Sequence, residues 1–144
     1  MEAERNKAII TQIFDALANG DGRPFVGAMA EDFTWIMEGS TSWSGIYRGK
    51  AAVRDKLMGP LFAQFGATYK NRAERIIAED DNVVVLCRGD VTTKAGKPYG
   101  NSYCLVFRLR DGQLVELREF LDTALVDRAL DPPGAVSAQP ALRV

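Results

Sequence analysis

The chain has 144 residues, of which 47% are apolar and 26% charged, with a net charge of −1. That is one soluble-type domain with enough apolar residues for a core. The near-neutral balance leaves no electrostatic footprint for nucleic acid or an anionic membrane, and no apolar run reaches the roughly 18 residues of a membrane span.

Histidine is absent. Any proton transfer therefore falls to Asp, Glu, Tyr, Lys or Cys, and His-based triads and metal sites are excluded. Met1–Arg5 reads as the start of an acidic helix rather than a signal peptide, so cytoplasmic residence is the expectation. Cys87 and Cys104 are too few for a metal site and read as reduced, packed thiols. No cofactor is expected.

In chain order, residues 3–19 form an amphipathic helix, with Ile9, Ile10, Ile13, Phe14 and Leu17 at helical spacing. Asn19-Gly20 ends it, and Asp21 caps a short second helix with Pro24 in its first turn. Phe33–Glu38 is a strand carrying Trp35 and Met37 on one face. Gly39–Gly49 is a loop of small residues that nevertheless holds Trp43, Ile46 and Tyr47. It reads either as a lid on the core or as the rim of a ligand pocket. Lys50–Phe65 is a third helix, kinked or split at Gly59-Pro60. Thr68–Ala78 is a strand of mixed alternation.

A three-stranded meander follows: Val83–Thr92, Tyr99–Leu109 and Gln113–Asp122, joined by turns at Lys94–Lys97 and Arg110–Gly112. Thr123–Leu130 is a short helix capped by Asp122. Asp131-Pro132-Pro133-Gly134 stops it. The domain spans 1–131, with 132–144 a C-terminal tail. Helices followed by antiparallel strands make an α+β fold, a curved sheet whose concave face the helices cover.

The meander holds the chemistry. Alternate residues of a strand share a face, so Val115, Leu117, Glu119 and Leu121 form one row in which Glu119 is a lone carboxylate. A two-residue loop at Ala95-Gly96 sets Arg88 opposite Tyr103 and Asp90 opposite Asn101. A three-residue loop at Arg110–Gly112 sets Tyr103 opposite Glu119, Leu105 opposite Leu117 and Phe107 opposite Val115. The expected cluster is therefore Arg88, Asp90, Asn101, Tyr103 and Glu119, with Glu119, Asp90 and Arg88 as catalytic candidates. Tyr103, Asn101, Trp35, Met37, Trp43, Phe62 and Leu117 are the ligand-binding candidates. The competing account is a buried Arg88–Glu119 ion pair that plugs the core. The opposite face, with Val85, Cys87, Val91, Cys104 and Val106, is an apolar patch expected to pair two copies back to back.

Several segments carry a family resemblance. They are Ala18-Asn19-Gly20-Asp21, Phe33-Thr34-Trp35, Tyr47–Val53, Phe107–Leu114 and Arg118-Glu119-Phe120-Leu121-Asp122. Together they resemble the nuclear transport factor 2-like superfamily, closest to its SnoaL-like and ketosteroid-isomerase-related branches. The resemblance implies a cone-shaped α+β fold, cystatin-like, with a pocket between the concave sheet and the helices. It covers residues 4 to about 127 and is specific for fold rather than function.

Limonene-epoxide hydrolases of this fold carry an Arg-x-Asp, matched by Arg88-Gly89-Asp90, and a last-strand acid, matched by Glu119. Their Tyr-x-Asn would fall on Trp35 and Met37, which cannot hold a water that way. The ketosteroid isomerase groups fall near Ile13 or Phe14, Met37 and Leu105, so all three are missing. SnoaL-type cyclases use a late-strand acid, a place Glu119 fills. The resulting expectation is cofactor-free acid/base chemistry on a small, mostly apolar carbonyl, lactone or epoxide. The alternative is a non-catalytic binding or dimeric scaffold protein.

Overall fold

The computed structural model describes residues 1–134. The expected loose tail at 135–144 lies outside the described residues. Helix α1 (Glu2–Leu17) and short α2 (Arg23–Ala28) come first, then strand β1 (Met29–Met37). The next helical stretch has three parts: α3 (Lys50–Ala52), a π-helical segment Val53–Met58, and α4 (Gly59–Phe62). Pro60 has no N–H for the carbonyl four residues back, and the turn before it widens, so that the Gly59 amide reaches Arg54 five residues back.

Strands β3 (Lys70–Glu79), β4 (Asn82–Asp90), β5 (Ser102–Arg110) and β6 (Gln113–Leu121) complete the sheet, and α5 (Thr123–Ala129) follows. The loop expected at Gly39–Gly49 contains a strand, β2 (Gly45–Arg48), antiparallel to β1. The sheet order is β2-β1-β6-β5-β4-β3, with β1 parallel to β6 and the other pairs antiparallel. The α+β fold is as expected, and so is the Asp122 cap, whose carboxylate accepts from the Leu125 amide at 3.2 Å.

Two registers differ from the expectation, with different consequences. The β4–β5 connection closes at Thr93 and Lys97, so its loop is Lys94-Ala95-Gly96 with Gly96 at φ +85°. It is one residue longer than expected. Cys87, not Arg88, therefore stands opposite Tyr103. A one-residue slip turns every side chain to the other face. Val83, Val85, Cys87 and Val91 are buried inside, while Arg88 and Asp90 are exposed outside.

The β5–β6 turn is tighter than expected. Asp111 and Gly112 both take positive φ (+52° and +78°), as a two-residue hairpin turn requires. A bulge beside it leaves Val115 without a partner between the Leu109–Leu114 and Arg108–Glu116 pairs. Leu105 then faces Glu119, Phe107 faces Leu117 and Tyr103 faces Leu121. This slip is of two residues, so Glu119 keeps its inward face.

Two apolar clusters fill the cone. One lies between the sheet and the first two helices, built on Ile10, Phe14, Phe25, Phe33, Phe107 and Leu117. The other gathers Met37, Trp43, Leu57, Phe65, Tyr99 and Val126.

Candidate functional site

A cavity of about 600 Å³ lies between the concave sheet face and the helices. Its walls are almost wholly apolar, built by Phe14 of α1, Phe25 of α2, Met58 and Phe62 of the broken helix, and Leu105 and Leu117 of the sheet. Apart from Arg23, two groups of polar side chains interrupt that lining.

The first is Glu119 with Trp35. Glu119 is 5% exposed. The Trp35 indole N–H donates to its Oε1 at 2.9 Å. Trp35 lies on β1 next to Leu117 of the parallel strand β6, two residues before Glu119. Edge-to-face contacts with Phe25 (5.8 Å) and Phe33 (6.3 Å) hold its ring. Burial raises the Glu119 carboxyl to about 7, against a smaller lowering by the Trp35 hydrogen bond. A carboxyl in that range carries its proton part of the time at neutral pH, so it can donate or accept one.

The second group is Tyr69, Asn71 and Tyr103. The Tyr69 hydroxyl donates to the Tyr103 hydroxyl at 3.0 Å, and the Asn71 amide N–H donates to Tyr69 at 3.0 Å. Burial pushes both phenols above their ordinary range, so they stay protonated as hydrogen-bond donors. Gly89 makes this group possible. A Cβ there would lie 2.5 Å from the Tyr69 hydroxyl, so the ring crosses β4 where that strand has no side chain.

Of the residues expected from sequence, Glu119, Trp35, Tyr103, Phe62 and Leu117 line the cavity. Arg88 does not. It lies outside, 3.9 Å from Glu74 in an exposed pair, and Asp90 on the same face is also exposed. The expected Arg88–Glu119 plug and the Arg-x-Asp arrangement of the epoxide hydrolases are therefore not assembled.

Asn101 is a brace behind the site. Its amide donates to Tyr99 (3.2 Å) and to the Asp122 carbonyl (3.1 Å), and its oxygen accepts from the Ser102 and Asp122 amides (2.7 and 3.0 Å). With all four positions used, it has nothing left for a ligand. Met37 and Trp43 belong to the second cluster rather than the cavity. Trp43 pins the loop before β2 as a lid, its indole donating to the Asp131 carbonyl at 2.9 Å.

Tyr69, Asn71 and Phe25 were missed. Gly89 inside an apolar strand was the available signal for a large neighbour crossing it. Tyr69 and Asn71 alternate correctly for one face, but the bulge between Ala73 and Arg75 breaks the pattern beyond them. Among the described residues no group of three or more His, Cys, Asp or Glu side chains is placed to hold a metal ion.

Comparison with known proteins agrees with this architecture. The model of the SnoaL-like domain matches residues 10–117. No curated protein matches the chain. Among solved structures it is similar to Bal32a from a soil-derived mobile gene cassette (TM-score 0.78, 23% identity, covering 91% of this chain and 100% of that one). It is also similar to a candidate SnoaL-like polyketide cyclase from Jannaschia sp. CCS1 (TM-score 0.73, 22% identity, 91% and 94%). A third is TerC co-crystallized with polyporic acid (TM-score 0.73, 19% identity, 87% and 97%). With a domain match over most of its length, and a cone-shaped fold shared with these structures, the chain belongs to the SnoaL-like family.

Proposed function

We propose that this protein binds a small, mostly apolar molecule in the cone and transforms it by cofactor-free acid/base chemistry, with Glu119 as the proton-exchanging group. One observation carries the reading. A carboxyl titrating near 7 borders a 600 Å³ apolar cavity, with one indole hydrogen bond and no ion pair among the described residues. Trp35 orients the carboxylate. The Tyr103 hydroxyl, which accepts from Tyr69, is left to donate to an oxygen of the ligand, such as that of a carbonyl, lactone or epoxide. TerC, of the same fold, was co-crystallized with polyporic acid, and that likeness supports a small-molecule cavity here.

The test is Glu119→Gln against a panel of apolar ketones and lactones. The variant keeps the shape and the acceptor for Trp35 but cannot titrate. It should retain binding, read by thermal shift, and lose turnover by about 100-fold or more. Turnover retained in the variant would remove Glu119 from the chemistry.

The second reading is a paired, non-catalytic scaffold, and a specific feature of the outer sheet face favours pairing. Val85, Cys87 and Val91 do not contribute, since they point inward. The outer face instead carries a row across all six strands: Ile77, Val84, Val106, Arg118, Ile36 and Ile46. Exposed Leu86 and Phe120 lie beside it. Arg118 in that row is tied to Glu38. The row is thus locally neutral and does not repel a second copy laid on it by a two-fold axis.

A further inference from the structure

A second cavity of about 300 Å³ opens beside the first. The two share Val26, Met58 and Phe62 as wall residues, so these side chains lie between them. Val26 and Phe62 are 37% and 44% exposed, large apolar groups left at the mouth. Met58 ends the π-helical segment, directly before the Gly59-Pro60 break. A flexible thioether on an irregular turn is a wall that yields to an occupant.

The side chamber differs from the main cavity in charge. Lys50 and Arg54 line it together with apolar side chains. Arg54 is already matched, with Asp55 at 2.9 Å and Glu31 near enough to hold its charge. Lys50 has no acidic partner among the described residues, and it is half-buried at the start of α3. The chamber therefore presents one unmatched positive charge beside an apolar wall.

The main cavity is the converse. Glu119 is ionised part of the time, and the one cation on its lining among the described residues, Arg23, is held by both oxygens of Asp21 (2.9 and 3.0 Å). An anion placed deep in that cavity would lose its hydration and meet a like charge.

On the reading that the main cavity is a ligand pocket, we infer that its ligand is an amphipathic monoanion, with an apolar body beside Glu119 and a carboxylate in the side chamber against Lys50. A single unmatched cation suits one negative charge rather than two. The carboxylate anchors the molecule at the mouth and leaves its far end for the proton transfer. Lys50 is then a specificity-determining residue, distant in role from the reacting atoms.

Titration calorimetry with decanoate and decan-1-ol at pH 8 tests this, on the wild type, Lys50→Ala, Lys50→Glu and Glu119→Gln. Decanoate affinity should fall about fivefold in Lys50→Ala, the size of a partly exposed ion pair, and further in Lys50→Glu. Added salt should weaken decanoate binding in the wild type. Decan-1-ol should bind all four proteins alike, and the loss of decanoate affinity on Lys50→Ala should recur when that change is made in the Glu119→Gln background.

Equal decanoate binding by the wild type and both Lys50 variants would overturn the inference. If decan-1-ol still bound, the pocket itself would stand. Decanoate binding strengthened by Glu119→Gln and indifferent to Lys50 would also overturn it, since the head would then sit at the deep end. Failure of both probes to bind the wild type would overturn this inference and the ligand pocket together.

Discussion

The Trp35 indole donates to Glu119 Oε1 at 2.9 Å, joining β1 to β6 across the one parallel pair of the sheet. This bond favours the charged carboxylate, while burial opposes it more strongly and leaves the group near 7. Trp35→Phe keeps an aromatic ring against Phe25 and Phe33 but removes the donor. The Glu119 midpoint should rise, and the limb of any pH–rate profile that Glu119 sets, the basic one if it acts as acid and the acidic one if it acts as base, should move up with it. A profile measured on an active ketone or lactone checks this, and an unmoved limb would mean that Glu119 is not the titrating group.

Glu119 also links stability to pH. Its folded value, about 7, lies above the ordinary 4.5, so between these values the native state holds the proton more tightly than the unfolded chain. The sign follows: stability is greatest below about 4.5 and is lost as pH rises through 7. The loss is on the order of 3 kcal/mol, from the 4.5 and 7 midpoints. Urea unfolding of the wild type and Glu119→Gln from pH 5 to 8 should show the difference closing on the acid side, with the Gln variant the more stable protein at pH 8. Parallel curves would contradict the shift.

Gly89 and Tyr69 are coupled by contact. Gly89→Ala places a Cβ 2.5 Å from the Tyr69 hydroxyl and 2.9 Å from its ring. Overpacking of this kind costs about 1–3 kcal/mol. In the Tyr69→Leu background the same change should cost markedly less, and a double-mutant cycle by denaturant unfolding measures the difference. Additive costs would mean that the ring does not lie over Gly89.

Arg88→Ala and Asp90→Asn should leave turnover and ligand binding unchanged and shift stability by no more than about 0.5 kcal/mol, as exposed substitutions do. Unfolding curves and activity on the same panel check both. Val106→Asp, in the middle of the outer row, should convert a dimer into a monomer by sedimentation velocity. A wild type that sediments as a monomer at micromolar concentration would remove the pairing proposal.

The contrast between Arg88 and Glu119 shows what could be read from the chain alone. The alternation of Val115, Leu117, Glu119 and Leu121 placed Glu119 inside, and a register error of two residues left that placement intact because side chains repeat every two. Arg88 and Asp90 were misplaced by one residue. The cause was the Lys94-Ala95-Gly96 loop, whose length Gly96 alone does not determine. The curved sheet, the helices over its concave face and the Asp122 cap were legible from local pattern. Strand β2 was not, because Gly45–Arg48 is short and begins at Gly45, with φ +145°. The Tyr69–Tyr103 bond joins residues 34 positions apart and depends on the register of both β3 and β5 against β4, beyond the reach of spacing arguments.

The central claim is that Glu119 changes protonation near neutrality inside an apolar pocket. A carbon-13 NMR titration of the glutamate carboxyl groups, with Glu119 assigned by its absence in Glu119→Gln, measures this directly. Glu119 should show a midpoint of about 7 that shifts when an apolar ligand fills the cavity. A midpoint at or below 4.5, indifferent to ligand, would contradict it and make Glu119 a permanently charged, structural group.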